Sequence, residues 1–269
     1  MTTFGFIGAG NMASAIVKGA VSSGLEPESF VIADAHHDSA QRLAEATGVH
    51  AASSNDEVFG SADYVVLAVK PQVLPAVLEG ARDVIASHSP VIVSIAAGLT
   101  LDRLTSLLPE GVAVVRVMPN VNAMVGAAMS AVAGNTHASS DQIDAVVELM
   151  DSVGDAVVIP EKDFSAYTAL AGSSPSWVFT FIEALTKAGV KHGLARPLAA
   201  RIAAQAVAGS AELAIARADE QSASALSDMV CSPGGTTIAG LLAAEEAGFT
   251  TAVVKAVDAT VQRDRELGS

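Results

Sequence analysis

Short apolar runs alternate with amphipathic stretches through the first half of the chain. Strands are expected at 4–7, 30–33, 64–69, 91–95 and 112–117, and helices at 12–21, 39–46, 73–85 and 101–107. Gly24 and Gly48 follow the first two helices, where glycine readily ends a helix. Strands and helices taking turns at this spacing predict a parallel, doubly wound sheet. The run Val65-Val66-Leu67-Ala68-Val69 has no polar interruption, as suits a strand covered on both faces. Two more strands, at 128–133 and 156–159, flank a helix at 140–150. Beyond Pro160 only helices are expected, at 164–171, 175–188, 197–217, 223–230, 237–246 and 250–265. The α/β domain is therefore assigned to 1–160 and an all-α domain to 161–269. Stretches such as Ile202-Ala203-Ala204-Gln205-Ala206-Val207 are apolar on more than one face, so the helical domain is expected to bury surface against another subunit.

Composition narrows the function. With 51% hydrophobic and 16% charged residues, the chain can bury a large core. Its formal charge of -14 repels phosphate backbones, so no nucleic-acid partner is expected. The same field repels a small anionic substrate, so any anion site must be local and built from backbone N–H groups or hydroxyls. One cysteine, Cys231, excludes an internal disulfide and suits a reducing compartment. The N-terminus lacks a basic segment of the secretory kind, and no apolar run reads as a membrane span. A cytoplasmic protein is expected. Scattered histidines give no metal motif, and no nucleophile elbow is present.

Candidate chemistry begins at Gly8-Ala9-Gly10-Asn11-Met12-Ala13, a Gly-x-Gly-x-x-Ala sequence between a predicted strand and helix. In that context Gly8 permits the tight turn, Gly10 lets backbone approach a pyrophosphate, and the helix N-terminus presents N–H donors. These features define a Rossmann-type dinucleotide site. Asp34, just past the second strand, is placed to accept hydrogen bonds from an adenosine ribose. A carboxylate there repels a 2′-phosphate, which favours NADH over NADPH. Ala68, Val69, Lys70 and Pro71 end the next strand, and Ala96 and Ala97 follow the one after, where ligands gather in such sheets. In the helical half, Cys231-Ser232-Pro233-Gly234-Gly235-Thr236-Thr237 enters a predicted helix. Its hydroxyls and free amides suit a small carboxylate, although a plain helix–helix turn explains the same residues. Cys231 reads as a small packing residue.

Five stretches together resemble the pyrroline-5-carboxylate reductase family over nearly the whole chain. They are Phe6-Ile7-Gly8-Ala9-Gly10-Asn11-Met12, Ala68-Val69-Lys70-Pro71-Gln72, Arg116-Val117-Met118-Pro119-Asn120, Thr168-Ala169-Leu170-Ala171-Gly172-Ser173-Ser174-Pro175, and Val230-Cys231-Ser232-Pro233-Gly234-Gly235-Thr236-Thr237-Ile238. The resemblance implies a Rossmann domain followed by a helical dimerisation domain, in a homodimer or larger homo-oligomer. It implies hydride transfer from NADPH or NADH to the C=N carbon of 1-pyrroline-5-carboxylate, giving proline. Ser232, Gly234 and the amides of Gly235 and Thr236 then hold the substrate carboxylate, and Thr237 bonds the ring nitrogen. Asn55, Lys70, Ala96 and Ala97 fall at positions lining the ribose and nicotinamide. Departures from the family pattern are Val121 and Asn122 after Asn120, Ser174 for a glycine, Trp177 for Tyr or Phe, Ser222-Ala223 for a His-Pro pair, and Ser227 for a basic residue. Two other activities fit the same residues: reduction of another cyclic imine, and dinucleotide sensing without catalysis.

Overall fold

The computed structural model describes residues 2–267, so the outer ends of the two expected domains, at 1 and 269, lie outside it. The chain divides into two compact units: one runs to Gly172 and takes in the chain from Thr260 onward, and the other is Ser173–Ala259.

The first unit is built on an eight-stranded sheet. In chain order its elements are β1 (Phe4–Ile7), α1 (Asn11–Ser22), β2 (Phe30–Ala33), α2 (His37–Thr47), β3 (His50–Ala51), α3 (Asn55–Ser61), β4 (Tyr64–Leu67), α4 (Leu74–Gly80), α5 (Arg82–His88), β5 (Val91–Ser94), α6 (Leu101–Ser106), β6 (Val114–Met118), β7 (Ala128–Gly134), α7 (Ser140–Asp151), β8 (Gly154–Val158) and α8 (Phe164–Tyr167). The strand order is β3-β2-β1-β4-β5-β6-β7-β8. Every residue of β1, β2, β4 and β5 is buried, because helices cover both faces. Alternate residues feed two cores. Phe6, Ile32, Val66 and Val93 meet Ile16, Val17, Leu149 and Met150 on one face. Ile7, Val31, Val65 and Ile92 meet Phe59, Leu74, Leu78 and Phe164 on the other.

The doubly wound sheet is as expected, with one departure from a wholly parallel arrangement. β6 and β7 run antiparallel. Only a short 3₁₀ turn, Val121–Val125, lies between them, and a parallel crossover needs a dozen or more residues. The helix expected at 73–85 is two, α4 and α5, broken at Ala81. The strand expected to reach Val69 stops at Leu67. The helix expected at 164–171 winds as α8 and then as a π-helical segment, Thr168–Ser173. Phe164 is buried in the second core, so this unit extends past Pro160, where the last strand has ended.

The second unit holds α9 (Ser174–Lys191), α10 (Arg196–Ala216), α11 (Ala223–Val230), α12 (Thr236–Glu246) and most of α13 (Phe249–Leu267). α9 and α10 pack closely around Thr186, Ala199 and Ala203, where Gly189 leaves room for the Ala199 methyl. Phe181 and Phe249 meet with ring centroids 6.0 Å apart. Much of the apolar surface is bare in the single chain: Ile202, Ile215, Met229 and Leu242 are each at least half exposed. Contrary to the reading of the sequence, α10 is long and apolar enough to cross a membrane. α12 and α13 qualify only as a pair bent by 49°.

Candidate active site

The ends of four strands and the middle of a fifth form a row across the sheet. Ala33, Ile7, Leu67, Ser94 and Arg116 pair in register from β2 to β6. The chain leaves β1 to build one side through β2 and β3, then crosses to β4 for the other. A crevice opens where the order reverses, beyond the carboxyl ends of these strands. Gly8, Asp34, Ala68 and Ile95 each follow directly on the row, so most of the expected dinucleotide residues share one edge.

Gly8 is dictated by the backbone. Its φ is +106°, and a Cβ there would lie 2.8 Å from the Ala68 carbonyl oxygen. Its N–H donates to Ala33 O at 2.7 Å. Gly10 is different: a Cβ would meet nothing within 4 Å. The fold itself does not demand glycine at this N-cap, whereas a ligand lying against the helix end would. Gly10 gives α1 no side-chain cap, so the first-turn amides of Asn11, Met12 and Ala13 are left for another acceptor. This arrangement fits a dinucleotide pyrophosphate.

Asp34 stands beside the loop. Its Oδ2 accepts from Ala9 N–H at 2.7 Å and its Oδ1 from His36 N–H at 2.8 Å. A cleft of about 390 Å³ opens here, lined by Gly8, Asp34, His37, Ser53, Asn55 and Val69 among others. It brings Gly8, Asp34 and Asn55 together. Glu57 shapes the same wall: its carboxylate takes Ser53 N–H and Oγ–H, both at 2.8 Å, and contacts His50 Nε2 at 2.7 Å. Those partners, His50 first, hold its pKa down to about 2. Ala68, Val69 and Pro71 are half-buried and Lys70 is exposed, its carbonyl accepting from Val73 N–H. Ala96 is buried, its N–H on Ser94 Oγ at 3.3 Å, and Ala97 is exposed.

Farther along the row, the buried Arg116 lies over the Phe164 ring at 4.4 Å and pairs with Glu161 Oε1 at 2.8 Å. The same oxygen accepts Leu101 N–H at 2.6 Å at the start of α6. Asn120 is buried too; its Nδ2 donates to Ala171 O at 3.0 Å, and its Oδ1 accepts from the Asn122 amide. Neither Glu161 nor Asn120 had been given a role, because nothing local in sequence announces partners so distant.

The remaining expected residues lie together in the second unit. Gly235 N–H closes a turn onto Ser232 O at 3.0 Å, with Gly234 at φ +67°. A Cβ on Gly235 would lie 2.3 Å from Ser232 Oγ, so glycine there makes room for that hydroxyl. Gly235 is the N-cap of α12 and supplies no side-chain bond, and Thr236 and Thr237 open the helix. Ser232, Thr236 and Thr237 are exposed in the single chain. Among the described residues no group of acidic, histidine or cysteine side chains is placed to hold a metal.

The sheet and its glycine loop define a nicotinamide-dependent oxidoreductase. The chain is 38% identical over 265 residues to a pyrroline-5-carboxylate reductase of Methanosarcina acetivorans, covering 98% of this chain and 97% of that one. It belongs to the pyrroline-5-carboxylate reductase family. Residues 161–267 match the family model for pyrroline-5-carboxylate reductase dimerisation, and residues 3–98 match that for NADP oxidoreductase, coenzyme F420-dependent. The solved pyrroline-5-carboxylate reductase of Coxiella burnetii superposes with a TM-score of 0.95 at 32% identity, covering 100% of this chain and 99% of that one. A Plasmodium falciparum pyrroline carboxylate reductase, solved with NADP bound, gives 0.87 at 31% identity and covers 100% and 98%. The dimerisation match spans α10 and its bare apolar surface.

Proposed function

We propose that the protein reduces 1-pyrroline-5-carboxylate to proline with a reduced nicotinamide cofactor, acting as a homodimer or larger homo-oligomer. The observation that carries the substrate reading is the turn before α12. Gly235 is the one residue type that leaves Ser232 Oγ its place, and the uncapped helix end adds amide donors. Together they form a carboxylate site that needs no cationic side chain.

Bound in the crevice of the first unit, the cofactor supplies the hydride. Gly8 makes the tight turn beneath it, and Gly10, Asn11 and Met12 hold its pyrophosphate. Asp34 and Asn55 hold ribose groups, and Ala68, Val69, Lys70, Pro71, Ala96 and Ala97 line the way to the nicotinamide. Ser232, Gly234, Gly235 and Thr236 fix the substrate carboxylate, and the Thr237 hydroxyl donates to the imine nitrogen. The carbon gains hydride and the nitrogen gains a proton from solvent, so no side-chain base is required. Catalysis is mainly orientation of two bound reactants. Asp34 favours NADH, because a 2′-phosphate would face its carboxylate. We assign the dinucleotide domain to 1–160 and the substrate and dimerisation domain to 161–269, following the span of the dimerisation match, while 161–172 and the chain from Thr260 fall in the first compact unit. A cytoplasmic enzyme with no nucleic-acid or membrane partner fits the charge of -14 and the single cysteine.

The test is steady-state oxidation of NADH and of NADPH by the purified protein, with and without 1-pyrroline-5-carboxylate. Substrate-dependent oxidation yielding proline is expected, faster with NADH at equal low concentration. Oxidation with other cyclic imines alone would reassign the substrate, and cofactor binding without turnover on any imine would leave a sensor.

A further inference from the structure

We propose that Asp34 is a positioning residue for the glycine loop, a latch that holds the pyrophosphate-binding backbone in shape before any ligand arrives. This rests on the reading that the loop carries a dinucleotide, and adds a role for Asp34 beyond the ribose.

Both carboxylate oxygens are engaged by main-chain donors in the ligand-free chain. Oδ2 takes Ala9 N–H at 2.7 Å and Oδ1 takes His36 N–H at 2.8 Å. Ala9 lies between two glycines, the least restrained residues of any backbone. The first of these is anchored by its N–H on Ala33 O. Gly10 has open space around it and gives the helix no side-chain cap. Asp34 therefore fixes the amide side of Ala9, whose carbonyl accepts only a longer bond from Ser14 Oγ at 3.3 Å. With the Gly8 and Ala9 amides turned toward β2, the amides that open α1 are the ones left facing the crevice. Each carboxylate oxygen accepts more than one hydrogen bond, so a ribose diol can bind while the latch stays closed.

The ribose role and the latch role separate with a ligand that has no ribose hydroxyls. The probe is 2′,3′-dideoxyadenosine 5′-diphosphate, which reaches the loop through its phosphates and offers Asp34 nothing to hold. Calorimetric titration would compare wild type, Asp34→Ser and Asp34→Asn. Removing a negative charge near phosphates should by itself tighten binding. A latch gives the opposite sign: affinity for the dideoxy probe falls about tenfold in Asp34→Ser, the scale of one lost hydrogen bond to a charged acceptor. Asp34→Asn keeps one acceptor oxygen and should fall less. Amide hydrogen exchange of Ala9, read without ligand, should accelerate by at least a similar factor while the melting temperature stays near wild type.

Probe affinity unchanged or tighter, with NADH alone weakened, would overturn the latch and leave Asp34 as a ribose ligand only. If wild type binds neither probe nor NADH, the dinucleotide reading itself fails. The exchange rate of Ala9 then decides the latch: acceleration in Asp34→Ser supports it and an unchanged rate refutes it.

Discussion

Gly235→Ala separates the substrate site from the fold. The new methyl would lie 2.3 Å from Ser232 Oγ and 3.1 Å from Ser232 O. The hydroxyl sits at the end of a rotatable side chain, so it swings away; the carbonyl yields by a few tenths of an ångström. Backbone strain is absent, since Gly235 has φ -79° and ψ 172°, open to alanine. Alanine is a poorer N-cap than glycine by up to about 1 kcal/mol, partly offset by a stiffer unfolded chain. Stability should therefore change by less than about 1 kcal/mol, roughly 2–4 °C in Tm for a chain of this size. The site loses more. If Ser232 Oγ bonds the substrate carboxylate, its displacement removes one charge-assisted hydrogen bond, about 1.5–3 kcal/mol, or roughly 10–100-fold in KM for the imine. That bond is made equally in ground and transition states, so kcat at saturation should hold. Steady-state kinetics, a thermal melt and a titration of NADH check the three parts. An unchanged KM with Tm within 4 °C of wild type would refute Ser232 as a carboxylate ligand; a matching loss of NADH affinity would point to a general distortion instead.

Thr237→Ala should lower kcat about tenfold or more, with NADH affinity within a factor of two, if its hydroxyl bonds the reacting imine and not the cofactor as proposed; equal losses in both would contradict that role. Glu161→Ala should cost about 2–4 kcal/mol in urea unfolding, since it leaves the buried Arg116 guanidinium without its carboxylate and the Leu101 amide without its acceptor; a loss under about 1 kcal/mol would mean that solvent replaces the pair. Glu57 should titrate near pH 2 in the folded protein, held down by His50 and Ser53. Its folded pKa lies below the ordinary value of 4.5, so its contribution is full above that pH and fades as pH falls toward 2. A carboxyl carbon resonance of Glu57 with a midpoint near 4.5 would show the contacts with His50 and Ser53 to be absent in solution.

The dinucleotide edge was legible in the sequence because its signals are local. A strand, two glycines and a helix start fall within ten residues, and an acidic residue follows the next strand. α3 was legible and passed over: Ser54 caps the amide of Glu57, the Ser-x-x-Glu signature of a helix start, but only Val58 and Phe59 give it an apolar face. β3 spans two residues, too short for any period to register. The antiparallel β7 was implied by the short connection after Met118, yet its apolar alternation is the same in either direction. Tertiary ties meet the chain beside and within the π-helical turn at Thr168–Ser173. Tyr167 Oη donates to Met129 O at 2.5 Å, and Ala171 O receives Asn120 Nδ2. Both partners belong to distant parts of the chain, as Arg116 is distant from Glu161.

A chain of charge -14 has to hold two anionic molecules, and both proposed sites do so without relying on lysine or arginine. Each uses a helix whose N-cap is glycine and gives no side-chain bond, Gly10 before α1 and Gly235 before α12. Donors of this kind act at hydrogen-bond range and leave the surface charge unchanged, so binding depends on close fit more than on long-range attraction. The two glycines nonetheless answer different demands. Gly10 has open space where a side chain would go, so any requirement for glycine there comes from the proposed ligand and not from the fold. Gly235 is crowded by Ser232, so its requirement comes from a neighbouring side chain, one the proposed substrate site uses. Substitution at the first should be nearly silent in the free protein and felt on cofactor binding. Substitution at the second rearranges the free protein first, and the substrate meets the consequence.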